Sequence, residues 1–520
     1  KQMVLPMDYG QIIPDDEPVR ILDALLEELD YTELLHLYPS TKGRKLRIPP
    51  VILFKIIVFS MMEGHYSLRD MEHQCRYNIQ YLWLLEGRKA PSHMTIGRFL
   101  KRLPLDVLEH LFTQLVGVLS QCDSITWDEV YIDGTKLEAN ANRYTAVWKK
   151  QVKYSLGLLQ EKREALQDNL LALLSMDTTA MTDDERLAVT AKACEEAGIT
   201  IVHGAGHRQS KEQKLLQAAM DIRDKQQDLD EQMETLRKRN SYSRTDHDAT
   251  FMRMKDDHTK KGQPKAAYNI QIAVESEYIV GVAVGSNPAD QHTLIPFLKQ
   301  LRRDYGKLPA HVVADAGYDS EANLDWLNRH GCQSVIKPHY YEHDKTAAAK
   351  KDISRADNMT YDADRDEYIC AKGRRLSYKE TYTRANENGY VQEFKVYECE
   401  KCSYCSYRKQ CQKMRGGKKP QRNKSITQNL HYLELQKDNK ARFQSEAGIQ
   451  LRINRSIQVE GTFGVIKEDF DYRRIHRRGE EGVLKELLMI SFGFNVRKLV
   501  NRVKKGRVSQ RFLDKEKTAC

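Results

Sequence analysis

The chain has 520 residues, 40% of them hydrophobic, with 83 Lys+Arg against 73 Asp+Glu and a formal net charge of +10. That hydrophobic content excludes wholesale disorder, and at ~100–200 residues per domain the length predicts about three or four folded units. The longest apolar run, Val51–Met62, is interrupted by Lys55 and falls short of the ~20 apolar residues of a membrane helix. No charged-then-apolar leader opens the sequence, so a soluble, non-secreted chain with no membrane partner is expected.

Charge is distributed unevenly. Residues 401–520 carry 29 Lys+Arg and 12 Asp+Glu, a net of +17, whereas the other 400 residues carry 54 and 61, a net of −7. Basic charge gathered at one end of a near-neutral body is the footprint of a polyanion partner, most often nucleic acid. Cysteine is uneven too: five of the ten lie between Cys370 and Cys411. Cys75, Cys122, Cys194 and Cys332 sit among apolar neighbours and are expected to be reduced core thiols.

Residues 1–120 are helical in pattern and are expected to form an all-α N-terminal DNA-binding domain. Ile21, Leu22, Leu25, Leu26 and Leu29 recur at helical spacing, and Pro49-Pro50 opens the apolar helix. Ser67 is placed to cap a helix through Cys75, and Ser92 to cap a helix over His93–Leu103 that Pro104 stops. This last helix carries Arg98, Lys101 and Arg102, in keeping with a helix-turn-helix-like bundle.

Residues 127–136 predict a strand that ends at Asp133-Gly134, in a first core segment spanning 121–144. A helical insert follows over 145–245. There Leu215, Ala219, Ile222, Gln226, Leu229, Met233 and Leu236 follow the seam of a coiled coil, and Leu159, Leu166, Leu170 and Leu173 offer a facing stripe. Thr182 and Glu185 form a capping box for a short helix at the tip of this hairpin. The core resumes over 246–339 with strands at 268–275, 278–285, 310–315 and 332–337, and helices at about 292–304 and 320–330. The order β-β-β-α-β-α-β is that of a ribonuclease-H-like fold, an α/β class with a mixed sheet covered by helices. A polar, Tyr-rich insert occupies 340–447, helices in 448–503 complete the core, and 504–520 is a basic tail.

Asp133 and Asp315 end strands that lie side by side in such a fold, so their carboxylates converge at one sheet edge. The small residues after them, Gly134 and Ala316-Gly317, leave room for a phosphate backbone. A divalent-metal site of oxygen ligands needs a third acid. Glu460 is the best choice, on a helix where Lys467 recurs two turns later on the same face. Converging carboxylates repel one another unless a cation is bound, so three of them imply a metal. Glu468 and Asp469 are rivals for the third acid. Asp319 is the rival second acid and is assigned instead to capping the helix that follows it.

The segments Val130-Tyr-Ile-Asp133-Gly-Thr-Lys136, Val312-Val-Ala-Asp315-Ala-Gly-Tyr-Asp319 and Val459-Glu460-Gly-Thr-Phe-Gly-Val-Ile-Lys467 resemble the three DDE blocks of bacterial insertion-sequence transposases. The likeness is to the group with an all-helical N-terminal domain and long inserts in the DDE domain. Thr245–Thr250 and Gly262–Gln271 are similar to stretches typical of it. One departure stands out: related enzymes carry a Tyr–Arg–Glu–Lys signature around the third acid, whereas Arg455 lies one residue too far upstream and the Tyr is missing. The resemblance implies hydrolysis of a phosphodiester at the element end, then attack of the freed 3′-OH on target DNA. It implies two Mg²⁺ (or Mn²⁺) ions on Asp133, Asp315 and Glu460, with Lys467 and Arg455 holding flanking phosphates. The expected partners are double-stranded DNA, as terminal inverted repeats and as target, and a second copy of the chain. The expected location is the bacterial cytoplasm, on the nucleoid when active. The rival readings are a metal-dependent nuclease without strand transfer and an inactive DNA-binding derivative.

The cysteine cluster reads Cys399-x2-Cys402-x2-Cys405-x5-Cys411, with Cys370 upstream. In a cytosolic protein this spacing favours a structural Zn²⁺ over disulfides. The preferred ligands are Cys370, Cys402, Cys405 and Cys411, with Cys399 as the alternate. The metal is expected to supply stability that so polar a segment cannot draw from burial. Arg415, Lys418, Lys419, Arg422 and Lys424 follow the cluster, and Arg473, Arg474, Arg477 and Arg478 follow the Glu460 helix, interleaved with Tyr472 and His476. These suit phosphate contacts.

Overall fold

The computed structural model describes residues 9–38, 47–123, 125–175, 177–199, 210–254, 262–386, 388–413 and 422–508, without the side chains of residues 173–174. Val130, Tyr131 and Ile132 form an unbroken apolar run, the signature of a strand covered on both faces, and all three are buried. They belong to β1 (Glu129–Glu138). The short strands β2 (Ala146–Trp148) and β3 (Ser241–Ser243) pair with each other at the base of the helical insert. Strands β4 (Thr250–Met252), β5 (Lys265–Glu275), β6 (Tyr278–Gly285), β7 (His311–Ala314) and β8 (Gln333–Ile336) join β1 in a six-stranded mixed sheet. Its order is β4-β5-β1-β7-β8, with β6 also on β5; β5 runs antiparallel to β1 and β6, and β7 runs parallel to β1 and β8. The strands expected at 278–285, 310–315 and 332–337 are thus present to within a residue or so.

One core runs through the sheet, the N-terminal helices and the last helix, Glu480–Lys504. Phe492 of that helix meets Phe54 of helix Pro50–Met62 at 5.2 Å and Phe112 of helix Leu105–Cys122 at 5.3 Å, both edge-on. The approach is close enough that a methyl group at Gly493 would lie 2.6 Å from the backbone of Met62. Lys55, within the apolar helix, is buried and forms ion pairs with Asp23, at 2.6 Å, and Glu27. Ser92 caps its helix as expected, whereas Ser67 makes no side-chain cap bond.

Two fully buried asparagines close the sheet at opposite edges. Asn495 accepts the N–H of Ile279 and donates to its carbonyl, each at 2.8 Å, on β6. Asn439 does the same for Ile336 on β8, at 3.0 and 2.8 Å. Asn439 lies on helix Leu430–Gln444, which sequence assigned to the Tyr-rich insert; its packing on β8 makes it part of the core unit. Asp246 and Asp248 receive the N–H groups of Gly479 (3.2 Å) and Glu480 (3.0 Å), pinning the start of the last helix.

The inserts have cores of their own. Helices Lys149–Leu174 and Lys211–Leu236 pack through Leu159, Leu166 and Leu170 against Ala219, Ile222, Leu229 and Leu236. Thr182 and Glu185 form the capping box of helix Asp183–Glu196. The side chain of Leu173 lies outside the described residues. The Tyr-rich insert contains the five-stranded antiparallel sheet β9 (Thr360–Asp362), β10 (Glu367–Ile369), β11 (Arg375–Ala385), β12 (Val391–Cys399) and β13 (Ser425–Gln428). Tyr368, Leu376, Tyr397 and Ile426 bury one another there, so the segment draws on burial after all. Tyrosine rings supply what its sparse aliphatic residues cannot. Among the described residues, no helix is long and apolar enough to cross a membrane.

Asn495→Leu and Asn439→Leu should each orphan two buried backbone groups, at ~1–3 kcal/mol apiece. Both are expected to lower the urea unfolding midpoint; an unchanged midpoint would show that the edge strands do not depend on these clamps.

Candidate active site

The parallel register of β1 on β7 sets the site. Ile132 pairs with Ala314, and the next residue on each chain is Asp133 and Asp315, on strands ~4.8 Å apart. Asp133 does not end its strand as expected: β1 continues to Glu138, opposite Ala267 of β5, after β7 has turned away. Asp133 Oδ1 accepts the Gly134 N–H at 2.8 Å. Asp315 Oδ1 accepts the Gly317 N–H at 2.7 Å, which caps a short 3₁₀ turn, Ala316–Tyr318.

Sequence reasoning missed a further carboxylate here. Asp290 opens the turn between β6 and helix Leu294–Tyr305. Its Oδ1 accepts amide protons from Asn269 (2.7 Å) and Gln271 (3.2 Å), both buried polar residues on β5. Gln271 in turn receives the hydroxyl proton of buried Tyr318. A methyl group at Gly134 would meet Asp290 Oδ1 at 2.9 Å and the Tyr318 hydroxyl at 3.1 Å. One at Gly317 would meet Asp315 Oδ1 at 3.0 Å and Asp290 Oδ2 at 3.2 Å. The glycines therefore make space for the protein's own side chains, a different reason from the phosphate clearance expected. Burial first, then the charges of Asp290, Asp133 and Asp315, hold the Tyr318 phenol well above its ordinary range. The only signal in the sequence was the position of Asp290 just beyond a strand parallel to β1, where it reads as a helix-start residue.

Glu460 arrives on a helix of mixed geometry. Glu446–Arg455 is α-helical, Ser456–Glu460 is π-helical, Gly461–Gly464 is an α turn and Val465–Asp469 is again π-helical. Such widened turns often mark functional sites. Arg455 connects the acids: its guanidinium lies 3.4 Å from Asp133 Oδ2 and 3.1 Å from Glu460 Oε1. The widened turns also shift the helical phase assumed for Lys467. That residue is half-buried and lines a small apolar pocket with Thr135, Ile270 and Phe463.

The rival acids lie elsewhere. Glu468 pairs with Arg473, and Asp469 lines a separate cleft with Phe470 and Arg497. Asp319 is not a helix cap, because Ser320 caps helix Glu321–Arg329. It is buried and accepts from the His339 N–H (2.8 Å) and the Gln436 amide (3.2 Å), tying the loop after β8. Burial raises its pKa above the ordinary carboxylate value.

Several predicted basic residues share one cleft. Lys101, on helix His93–Arg102, lines it together with Arg477, Arg478 and Lys485, beside Glu480 and Glu481. Arg478 donates to the Asn140 carbonyl at 2.8 Å and Arg474 to that of Ala141 at 3.4 Å. Arg98 and Arg473 are exposed. Tyr472 is fully buried against Tyr66 at 5.2 Å, a core residue rather than one interleaved with surface arginines. Arg415, Lys418 and Lys419 lie outside the described residues.

Cys370, Cys399, Cys402, Cys405 and Cys411 line one cavity, all as free thiols. The backbone N–H of Lys424 donates to Cys402 Sγ at 3.2 Å. Burial pushes the Cys399 thiol up to about 12. Among the described residues, no group of three or more His, Cys, Asp or Glu side chains is arranged so as to hold a metal ion, either here or at the carboxylates. In donor type, however, the thiols suit zinc and the carboxylates suit Mg²⁺ or Mn²⁺.

Residues 7–102 match a family described as Transposase domain (DUF772), and residues 369–500 match one described as Transposase DDE domain. Both segments are thus similar to transposase domains. No curated protein matches it. Glu460 and Arg455 fall inside the DDE match, whereas Asp133 and Asp315 lie between the two matched segments. Arg455, inside the DDE match, pairs with Asp133.

Gly134→Ala should force apart Asp290, Gln271 and Tyr318, lowering stability in urea unfolding by ~1–3 kcal/mol. Unchanged stability would return Gly134 to the role of admitting substrate.

Proposed function

We propose that the protein is the DNA transposase of an insertion sequence, built on a ribonuclease-H-like core. In this reading it cleaves phosphodiester bonds at the element ends and transfers the 3′-OH ends to target DNA. The observation that carries the reading is the meeting of Asp133 and Asp315 on adjacent parallel strands, with Arg455 linking Asp133 to Glu460. Asp133, Asp315 and Glu460 would hold Mg²⁺ or Mn²⁺, which supplies activation of the incoming water or 3′-OH and stabilisation of the leaving oxygen. The N–H groups of Gly134 and Gly317 fix the two aspartates against rotation. Arg455 balances their charge and keeps Glu460 at the site. The DNA backbone runs past Lys101, Arg477 and Arg478, with Arg98, Arg473, Arg474 and Lys467 as further contacts. Two element ends call for a homodimer, acting in the cytoplasm.

A structural zinc in the Tyr-rich insert belongs to the same proposal, supported by five free thiols around one cavity. Cys370, Cys402, Cys405 and Cys411 would be its ligands, with Cys399 as the alternate. Metal analysis of the purified protein should find one zinc per chain, lost in Cys402→Ser; a zinc-free protein of full stability would contradict it.

The test is to incubate the protein and Glu460→Gln with Mg²⁺ and DNA bearing the element's terminal repeats. End cleavage and joining to a second duplex, both absent in the variant, are expected. Cleavage of generic DNA without joining would indicate a nuclease, and binding without cleavage an inactive derivative. Replacing Arg477 and Arg478 together with Ala should reduce the slope of log affinity against log salt by about 2. An unchanged slope would place the DNA elsewhere.

A further inference from the structure

We propose that the base of the helical insert is a basic collar that holds the phosphodiester backbone of duplex DNA beside the catalytic edge of the sheet. The proposal rests on the transposase reading and extends it to an insert otherwise accounted for by its own leucine core. Residues 139–160 and 237–245 carry eight Lys+Arg and no Asp or Glu, whereas residues 161–236 between them carry 9 Lys+Arg and 16 Asp+Glu. The pairing of β2 with β3, which sets Ala146 opposite Ser243 and Trp148 opposite Ser241, brings the two basic segments together at one end of the hairpin. Arg143, Lys150, Lys153, Arg237 and Arg244 are exposed there, and Lys150 and Lys153 form no ion pair among the described residues. The collar begins where β1, the strand of Asp133, ends. Arg478 and Arg474 donate to the carbonyls of Asn140 and Ala141, and the Asn140 amide donates to the His476 carbonyl at 2.7 Å. One basic surface therefore runs from the cleft of Lys101, Arg477 and Arg478 onto the insert. Tyr144, 87% exposed beside Arg143, adds a ring to the charge, a combination that suits nucleic acid. Helix stability does not account for the collar. Arg237 and Lys238 stand at the C-terminal end of helix Lys211–Leu236, where cations suit the helix dipole. Lys149 and Lys150, however, open helix Lys149–Leu174, where they oppose it, and no acidic residue stands in that first turn. Positive charge kept where it weakens the helix points to an anionic partner.

The experiment measures the affinity of the full chain for a DNA duplex of arbitrary sequence over a range of salt, since phosphate contacts carry no sequence information. Replacing Lys150 and Lys153 together with Ala should reduce the slope of log affinity against log salt by about 2. Both side chains are exposed, so the urea unfolding midpoint should not fall. The matched control replaces Lys211 and Lys214 with Ala, which removes two lysines from the start of the other long helix and should leave the slope unchanged. The proposal is overturned if the Lys150 and Lys153 variant keeps the full slope while the unaltered protein binds DNA. It is overturned equally if the control lowers the slope as much, since overall charge would then account for the effect. Loss of self-association in sedimentation, with DNA affinity kept, would assign the collar to the acidic part of the hairpin in a second copy and overturn it too. Absence of DNA binding by the unaltered protein would overturn the transposase reading itself, and the proposal with it.

Discussion

The parallel pairing of β1 with β7 is the constraint on which the rest of the structure depends. Its register alone makes Asp133 and Asp315 neighbours although they lie far apart in the chain. A slip of one residue would turn one of the two carboxylates to the opposite face of the sheet. The surrounding structure keeps that register. On one side β5 holds β1 over eight residue pairs and carries the buried amides of Asn269 and Gln271 beneath the site. On the outer edges Asn495 and Asn439 satisfy the backbone of β6 and β8 from helices that come late in the chain. The sheet is therefore closed only when the C-terminal segment has docked, the same segment that delivers Glu460 and Arg455.

Long inserts between these parts are tolerable because loop-closure entropy grows only slowly with length. Each insert also has a core of its own, leucines between the long helices of the first and tyrosines in the second. Neither needs to disturb the central sheet. The N-terminal helices are different: they share one core with the sheet and with the last helix, meeting it at Phe492 and Gly493. Lys101 is thereby held beside Arg477 and Arg478 in a single cleft.

Much of this was legible in the sequence wherever periodicity was strong. The strand over 278–285 and the capping box at Thr182 appear where spacing put them. That Asp133 and Asp315 lie on neighbouring segments was legible because strand order in an α/β unit fixes which strands adjoin, although Asp133 sits within its strand and not at its end. Other features depend on contacts that spacing does not encode. Asp290 looks like any polar residue ahead of a helix until Asn269 and Gln271 are seen bonded to it. Asp319 looked like a cap, yet it is a buried acceptor for a loop that begins some twenty residues later. Tyr472 was grouped with the arginines it interleaves, but its ring is buried beside Tyr66. The Tyr-rich insert was misjudged because aliphatic residues were taken as the measure of a core.

The central claim is that Asp133 and Asp315 face one cation site. Loading the protein with Fe²⁺ and adding ascorbate and peroxide would generate radicals at that site and cut the backbone around it. The account predicts cuts beside both Asp133 and Asp315, suppressed by excess Mg²⁺. Cuts beside only one of them, or cuts that Mg²⁺ does not suppress, would contradict it.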